Sequence, residues 1–246
     1  MSLSESEKEN LYNNWHKDLG STQNRFDTLK DPWYQTVMQI LPEINGKKVL
    51  EIGAGRGDFS IWLAQKYPNA IIVGTDFSTK AIEIAKTKLS TNANLFFQVE
   101  NAENLSFENS SFDWIISCET LEHVFNPQKM SDEIYRVLKP GGNFILTTEN
   151  YFNGFILMWI KTWVTKKPFN SGSGIQPHEN FFTFIKVKSF FKKSGLKITD
   201  TRSNHFQFLM LPGVSPDRLC VRSFQFSFLN ILFKPFGRHF TYVGIK

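Results

Sequence analysis

Cysteine is scarce in this chain. Of 246 residues only Cys118 and Cys220 are cysteines, 102 positions apart. That excludes a disulfide framework and any cysteine-based metal spacing, and it sets a reducing, cytoplasmic location as the expectation. Long apolar runs are missing as well. A membrane-crossing helix needs about 18 apolar residues, and the longest contender, Phe155 to Val164, is broken by Lys161. The opening MSLSESEKENLYNNW is polar and acidic, so no secretory leader is expected there. Acidic residues are rare in the back of the chain. Residues 151–246 hold 3 Asp+Glu against 14 Lys+Arg, a net of +11, whereas residues 1–150 hold 20 against 14, a net of −6. The phenylalanines follow the basic residues, 16 of 25 lying after residue 150. This asymmetry assigns different work to the two halves, and the back half suits something anionic, apolar or both.

What is present is enough apolar residue, 41%, for one substantial core. Residues 5–42 carry apolar positions at helical spacing, with Asp31-Pro32 dividing them into two helices. From residue 48 to 149 short β-branched runs alternate with helical stretches. Strands are expected at 48–52, 70–75, 94–99, 112–117 and 143–148. Helices are expected at 59–66, 78–89 and 128–138, the last stopped by Pro140-Gly141-Gly142. A further helix at 183–194 and strands at 196–201 and 240–245 complete the set. Such alternation specifies an α/β fold, a doubly wound, mostly parallel sheet of seven strands with helices on both faces. Two stretches, 151–182 and 203–237, do not follow the alternation and are long for plain loops.

The chemistry begins at the first strand's end, in EIGAGRG, residues 51–57. Gly53, Gly55 and Gly57 permit a tight turn and close approach of a ligand to the backbone around Ala54. The helix N-terminus after this turn suits a carboxylate or phosphate. A dinucleotide fingerprint places glycines first, third and sixth, but the sixth place here is Asp58. Glu51 would repel a pyrophosphate and attract an ammonium. This spacing argues against an NAD-dependent oxidoreductase, the first alternative. Asp76, 19 positions after Gly57 at the end of the second strand, can accept hydrogen bonds from ribose hydroxyls.

The run VLEIGAGRG at 49–57 resembles the first motif of class I S-adenosylmethionine-dependent methyltransferases. NAENLSF at 101–107 and SFDWIIS at 111–117 resemble that family's adenine loop and fourth strand. LEHV at 121–124 and RVLKPGG at 136–142 resemble the family's segment beyond that strand. The ubiquinone-pathway O-methyltransferases are among the similar groups. The resemblance implies a Rossmann-like methyltransferase fold in one domain over residues 1–246. Within it, 1–44 form an N-terminal helical cap, 45–150 the S-adenosylmethionine-binding core, and 151–182 and 203–237 cap inserts over the substrate. It implies that Gly53, Ala54, Gly55 and Gly57 shape the cofactor pocket, with Glu51 beneath the methionine part and Cys118 beside it through its backbone. Asp76 would hold the ribose, Phe77 would pack on the adenine, and Asn101 and Ala102 would face its edge. The family usually has Asp where Asn101 stands; the amide oxygen can still accept the adenine's hydrogen bond.

Glu119, Glu122 and His123 would share one face if residues 119–123 were helical. With His178 they resemble the divalent metal site, Mg or Mn, of small-RNA 3′-end methyltransferases and ubiquinone-pathway enzymes. The same histidines, His123 and His178, are alternatively a base or a substrate contact that needs no metal. His16, His205 and His239 stand in no comparable constellation and read as surface or core residues. The apolar, tryptophan-bearing stretch 151–167 reads as a lid or as a segment lying in a membrane interface, peripheral to the inner face. The expected activity is methyl transfer to a small-molecule, glycan or lipid-linked acceptor, at oxygen. A metal-dependent RNA methyltransferase is the second alternative, and nucleic acid is not the expected partner because the basic residues interleave with large aliphatics.

Overall fold

The computed structural model describes residues 3–22, 28–89, 93–152, 160, 162–166, 176–207, 220–221, 229 and 232–246. Helices α1 (Glu5–Thr22) and α2 (Pro32–Ile40) precede the first strand, β1 (Lys48–Ile52). Pro32 occupies the first turn of α2, where its missing N–H costs nothing. Next come α3 (Asp58–Lys66), β2 (Ile71–Asp76), α4 (Thr79–Thr87), β3 (Leu95–Val99) and β4 (Phe112–Cys118). The chain continues through α5 (Pro127–Val137), β5 (Leu138–Glu149), α6 (Phe184–Ser194), β6 (Lys197–Gln207), β7 (Cys220–Val221) and β8 (Gly237–Ile245).

The strands form one sheet in the order β3-β2-β1-β4-β5-β8-β6-β7. The first five are parallel; β8 is antiparallel to β5, β6 to β8, and β7 to β6. The seven expected strands are all present, and β7 adds a two-residue edge. Side chains alternate between two cores, one on each face. Val49, Ile72, Trp114, Ile116 and Ile145 pack with α2, α3 and α4, while Leu50, Ile52, Ile115, Phe144 and Leu146 pack with α5 and α6. This period of two on a sheet covered on both faces is the doubly wound arrangement.

Three boundaries differ from the sequence reading. Helix α5 ends at Val137, and Pro140, Gly141 and Gly142 lie inside β5, in the irregular stretch at the register shift between Phe112 and Trp114. Proline holds the residue before it extended, so Lys139 joins the strand, not the helix. The stretch 203–237 is not an insert from its start, because β6 continues to Gln207 and pairs with β8. Residues 153–159, 161 and 167–175 of the first expected cap insert, and 208–219, 222–228 and 230–231 of the second, lie outside the described residues.

Candidate active site

The order of the parallel strands reverses between β1 and β4, and at such a switch point the loops after the strands diverge and leave a crevice. A cavity of ≈ 760 Å³ opens there, at the carboxyl ends of β1, β2 and β4. Its floor is the glycine turn. The N–H groups of Gly53 and Ala54 both donate to the Thr75 carbonyl, each at 2.8 Å, which tethers the turn to β2. Gly53 has φ 76°, and a Cβ on it would lie 2.1 Å from Thr120 Oγ1. Gly55 has φ 53° and faces open space. Gly57 caps α3, and its missing Cβ makes room for Phe97 and Ala85. Gly57 thus serves packing and is not part of the cavity wall.

Glu51 does not face the cavity either. It shares Val49's side of β1, is 1% exposed, and receives a short hydrogen bond from Ser60 Oγ on α3. Burial raises its carboxyl to about 7. Its Oε1 has no partner. Asp76 does line the cavity, held from below by Gly55 N–H and Ser78 N–H, each 2.9 Å from one carboxylate oxygen. Enclosure raises its carboxyl, and these bonds pull the other way. Phe77, Asn101, Ala102 and Cys118 complete the expected wall. Burial among Glu51 and Glu119 holds the Cys118 thiol well above its usual range, so it stays protonated.

Helix α1 roofs this side. Asn13 Oδ1 accepts from Ser78 Oγ at 2.7 Å and from Lys80 N–H at 3.0 Å. Tyr12 Oη donates to the His123 carbonyl at 2.6 Å, Arg56 donates to the His16 carbonyl at 2.7 Å, and Asn101 Nδ2 donates to Glu5 Oε2 at 2.7 Å. Tyr12, Trp15 and His16 thereby become cavity wall together with Trp33, Tyr34 and Trp62. None of these was singled out from the sequence as a site residue. They stand on helices whose docking no local signal reveals.

Residues 119–123 form a turn and not a helix, so Glu119, Glu122 and His123 do not share a helix face. Glu122 is 2% exposed, accepts from Thr148 Oγ1 at 2.8 Å, and is raised far above a usual carboxyl by burial, with Glu119 adding to the effect. His123 lines the cavity, but its Nδ1 is 2.8 Å from the His178 carbonyl and its Nε2 lies 4.0 Å from Glu122 Oε1. The His178 ring stacks on Phe125 at 4.4 Å, outside the cavity wall. Among the described residues the four expected metal donors do not converge. The carboxylate and imidazole groups that do lie within 4.8 Å of one another are Glu119, Glu149 and His239. There the oxygens of Glu149 are already engaged by Arg238 Nη2, at 3.2 Å, and by the Tyr151 hydroxyl. His239, 6% exposed on β8, is 3.1 Å from Glu119 Oε2. It is a core residue, as the sequence reading allowed, but it has a carboxyl group as its partner.

Residues 50–146 match the model of a methyltransferase domain family. The chain is 32% identical over 146 residues to a demethylmenaquinone methyltransferase of Thermotoga maritima, covering 57% of this chain and 61% of that protein. It is 29% identical over 166 residues to a ubiquinone biosynthesis O-methyltransferase of Coxiella burnetii, covering 66% and 69%. The match therefore spans less than two thirds of the first of these relatives. In fold it resembles an S-adenosylmethionine-dependent methyltransferase from Methanosarcina mazei, with a TM-score of 0.60 at 24% identity over 87% of this chain and 97% of that one. Residues 50–146 are a class I S-adenosylmethionine-dependent methyltransferase domain.

In this methyltransferase domain the structure tests whether the residues suit the donor molecule. They do. Gly55 leaves a space that a Cβ would enter without meeting any atom within 4 Å. Asp76 ends β2 with its carboxylate on the cavity, and Gly53, Ala54, Asn101, Ala102 and Cys118 surround the same space. A cavity of this size and mixed polarity suits a nucleoside-sized ligand together with part of a second molecule.

Proposed function

We propose that the protein transfers a methyl group from S-adenosylmethionine to an oxygen of a small, hydroxylated, largely apolar acceptor, quinol-like or lipid-linked. The observation that carries this is the continuity of the cavity. Its wall includes Gly53, Gly55, Asp76 and Asn101 together with Trp15, Trp33, Tyr34 and Trp62, and Glu119 and His123 belong to the same wall. Aromatic walls favour a flat or greasy acceptor. The names of the two relatives, which concern quinone precursors, support the same class.

In this reading Asp76 holds the ribose, Phe77 and Ala102 flank the adenine, and Asn101 accepts from its amino group. The turn from Gly53 to Gly55 and the Cys118 backbone hold the methionine end, with Glu51 and Gly57 supporting the turn from beneath. When bound, the donor supplies a methyl group on a positively charged sulfur. The chain's own contribution is to exclude water and align the acceptor, which is where much of the rate arises. Of the two roles open to His123, we assign contact with the acceptor, since both its nitrogens are turned toward protein groups. His178 supports it through its carbonyl. No metal is needed for this scheme. The RNA reading, which depends on a metal held by Glu119, Glu122, His123 and His178, is the weaker one because these donors are apart.

A peripheral membrane contact is consistent with exposed Trp163, Val164, Ile185 and Leu232, beside Lys166 and Lys188. No helix among the described residues is long and apolar enough to cross a membrane. The test uses methyl-labelled donor, the purified protein and an extract of the source cells. Label in the organic-extractable fraction is expected. Label confined to the aqueous fraction and released by nuclease would replace this reading with the RNA one.

A further inference from the structure

Helix α6 buries Val187, Phe190 and Phe191. Helical spacing puts Ile185, Lys188 and Lys192 on its opposite, outward side. Ile185 is 60% exposed. A single exposed isoleucine is ordinary, but this one borders a cluster of rings. Its neighbour Phe184 stacks on core Phe240 at 5.3 Å and meets Phe152 at 5.4 Å. Phe152 meets Phe236 at 5.8 Å, and Phe236 meets Phe233 at 6.4 Å. Leu232, next to Phe233, is 63% exposed. Phe152, Phe184, Phe233 and Phe236 are only partly buried, so they link Ile185 and Leu232 in one apolar surface.

Lysines accompany that surface. Lys188 Nζ lies over the Phe184 ring at 5.6 Å, its stem laid on apolar atoms and its charge carried outward. Lys234 begins the 3₁₀ turn Lys234–Phe236, which carries Phe236 into the cluster. Burial lowers the Lys234 ammonium below its usual range; Asp200 opposes the shift and Lys188 adds to it. Neither α6 nor residues 232–246 contain an Asp or Glu. The carboxylates that approach from neighbouring elements have partners of their own. Asp200 on β6 pairs with Arg202 at 3.1 Å, and Asp132 on α5 accepts from Ser194 Oγ at 2.6 Å. Cations are therefore in excess here, and the complementary surface is anionic.

We infer that the surface made by Ile185, Leu232 and the rings that link them, with Lys188 and Lys234 beside it, seats the protein on a lipid bilayer bearing anionic headgroups. The aliphatic side chains enter the acyl boundary and the lysines meet the headgroups. This deepens the peripheral contact of the proposed function, on which it rests, by naming the surface and the headgroup charge. A nucleic acid fits the same surface less well. Single strands need ring faces to stack on, whereas here Phe152 packs edge-on against Phe184 and Phe236, at 60° and 80°. The most exposed apolar side chains of the surface are aliphatic.

Co-sedimentation of the full chain with vesicles tests this. Vesicles of phosphatidylcholine alone are compared with vesicles of phosphatidylcholine and phosphatidylglycerol in equal parts. The wild type is expected on the mixed vesicles and not on the neutral ones, and high salt should release it. Ile185→Ser combined with Leu232→Ser should weaken binding about tenfold or more. Lys188→Gln combined with Lys234→Gln should weaken it about 10- to 30-fold. Neither pair is on the cavity wall, so S-adenosylhomocysteine affinity by calorimetry should be unchanged in both variants. Absence of binding to the mixed vesicles, or equal binding to both kinds, overturns the inference with the wild type alone. A serine double variant that binds like the wild type places the contact elsewhere and overturns it too. Binding to polyuridylate that is tighter than to the mixed vesicles and is lost with the lysine pair would make the surface a nucleic-acid site instead. Vesicle binding by a wild type that labels nothing defeats the methyl-transfer reading alone. Labelled organic-extractable product without vesicle binding defeats this inference alone.

Discussion

Asn101 stands where the resembled family usually has aspartate, and its neighbours explain why. Its Nδ2 donates to Glu5 Oε2 on α1, while its Oδ1 accepts from Glu103 N–H at 2.8 Å and retains a lone pair for a ligand. An aspartate there would set two carboxylates against each other and push α1 away. Glu51 illustrates a different constraint. It is buried without a cation, so its carboxyl rises from the ordinary 4.5 to about 7. Below pH 4.5 it is neutral in both the folded and the unfolded chain. Between 4.5 and about 7 the unfolded chain ionises first, so stability is lost across that window, and above it the loss is complete. Glu51→Gln cannot ionise. Urea denaturation should therefore show a variant-minus-wild-type stability difference that is flat below the window, grows through it by on the order of 3 kcal/mol, and then levels off. A difference independent of pH would show that Glu51 is not the group responsible.

At the scale of elements, α1 is held to the sheet domain mainly by polar contacts. Asn13 caps the start of α4 from outside, taking hydrogen bonds from both Ser78 Oγ and Lys80 N–H. Each such bond contributes about 1 kcal/mol net, and α1 brings Tyr12, Trp15 and His16 to the cavity. Asn13→Leu should therefore loosen the helix without unfolding the sheet. Faster amide hydrogen exchange confined to α1, with weaker S-adenosylhomocysteine binding by calorimetry, is the expected result. Unchanged exchange would mean that other contacts dock the helix. The antiparallel pair β5–β8 has a comparable role on the other side. Its register sets Glu149 opposite His239, which carries His239 to Glu119.

For the molecule as a whole, the proposed function takes the cavity beside the glycine turn and Asp76 as the place of S-adenosylmethionine, not of a dinucleotide. S-adenosylhomocysteine at a hundredfold over its Kd should stabilise the fold by about 2.7 kcal/mol, or roughly 5–10 °C in Tm for a chain of this size. NADH at the same concentration should leave Tm unchanged. A shift with NADH alone would reopen the oxidoreductase alternative. The charge asymmetry is a whole-molecule property too. The acidic front half supplies most of the cavity wall, and the basic, phenylalanine-rich back half supplies α6 and exposed Ile160, Trp163, Val164, Ile185 and Leu232.

Much of this was legible before folding because it is local. Alternating apolar runs placed the five parallel strands, Thr183 and Gly195 bracketed α6 as its caps, and the spacing singled out Gly53 and Asp76, which the fold brings to one cavity. These features depend on neighbours a few residues away. Tertiary structure decided the rest. Glu51 and Gly57 lie in the glycine motif yet face away from the cavity, because strand pleat and helix packing fix their direction. Glu119, Glu122 and His123 are close in sequence yet do not share a helix face, because the chain turns at Glu119, a residue with left-handed backbone. Glu119 and His239 are 120 residues apart and adjacent, because an antiparallel strand enters beside a parallel one. Direction and long-range register come from packing the whole sheet, and no short stretch of sequence carries them.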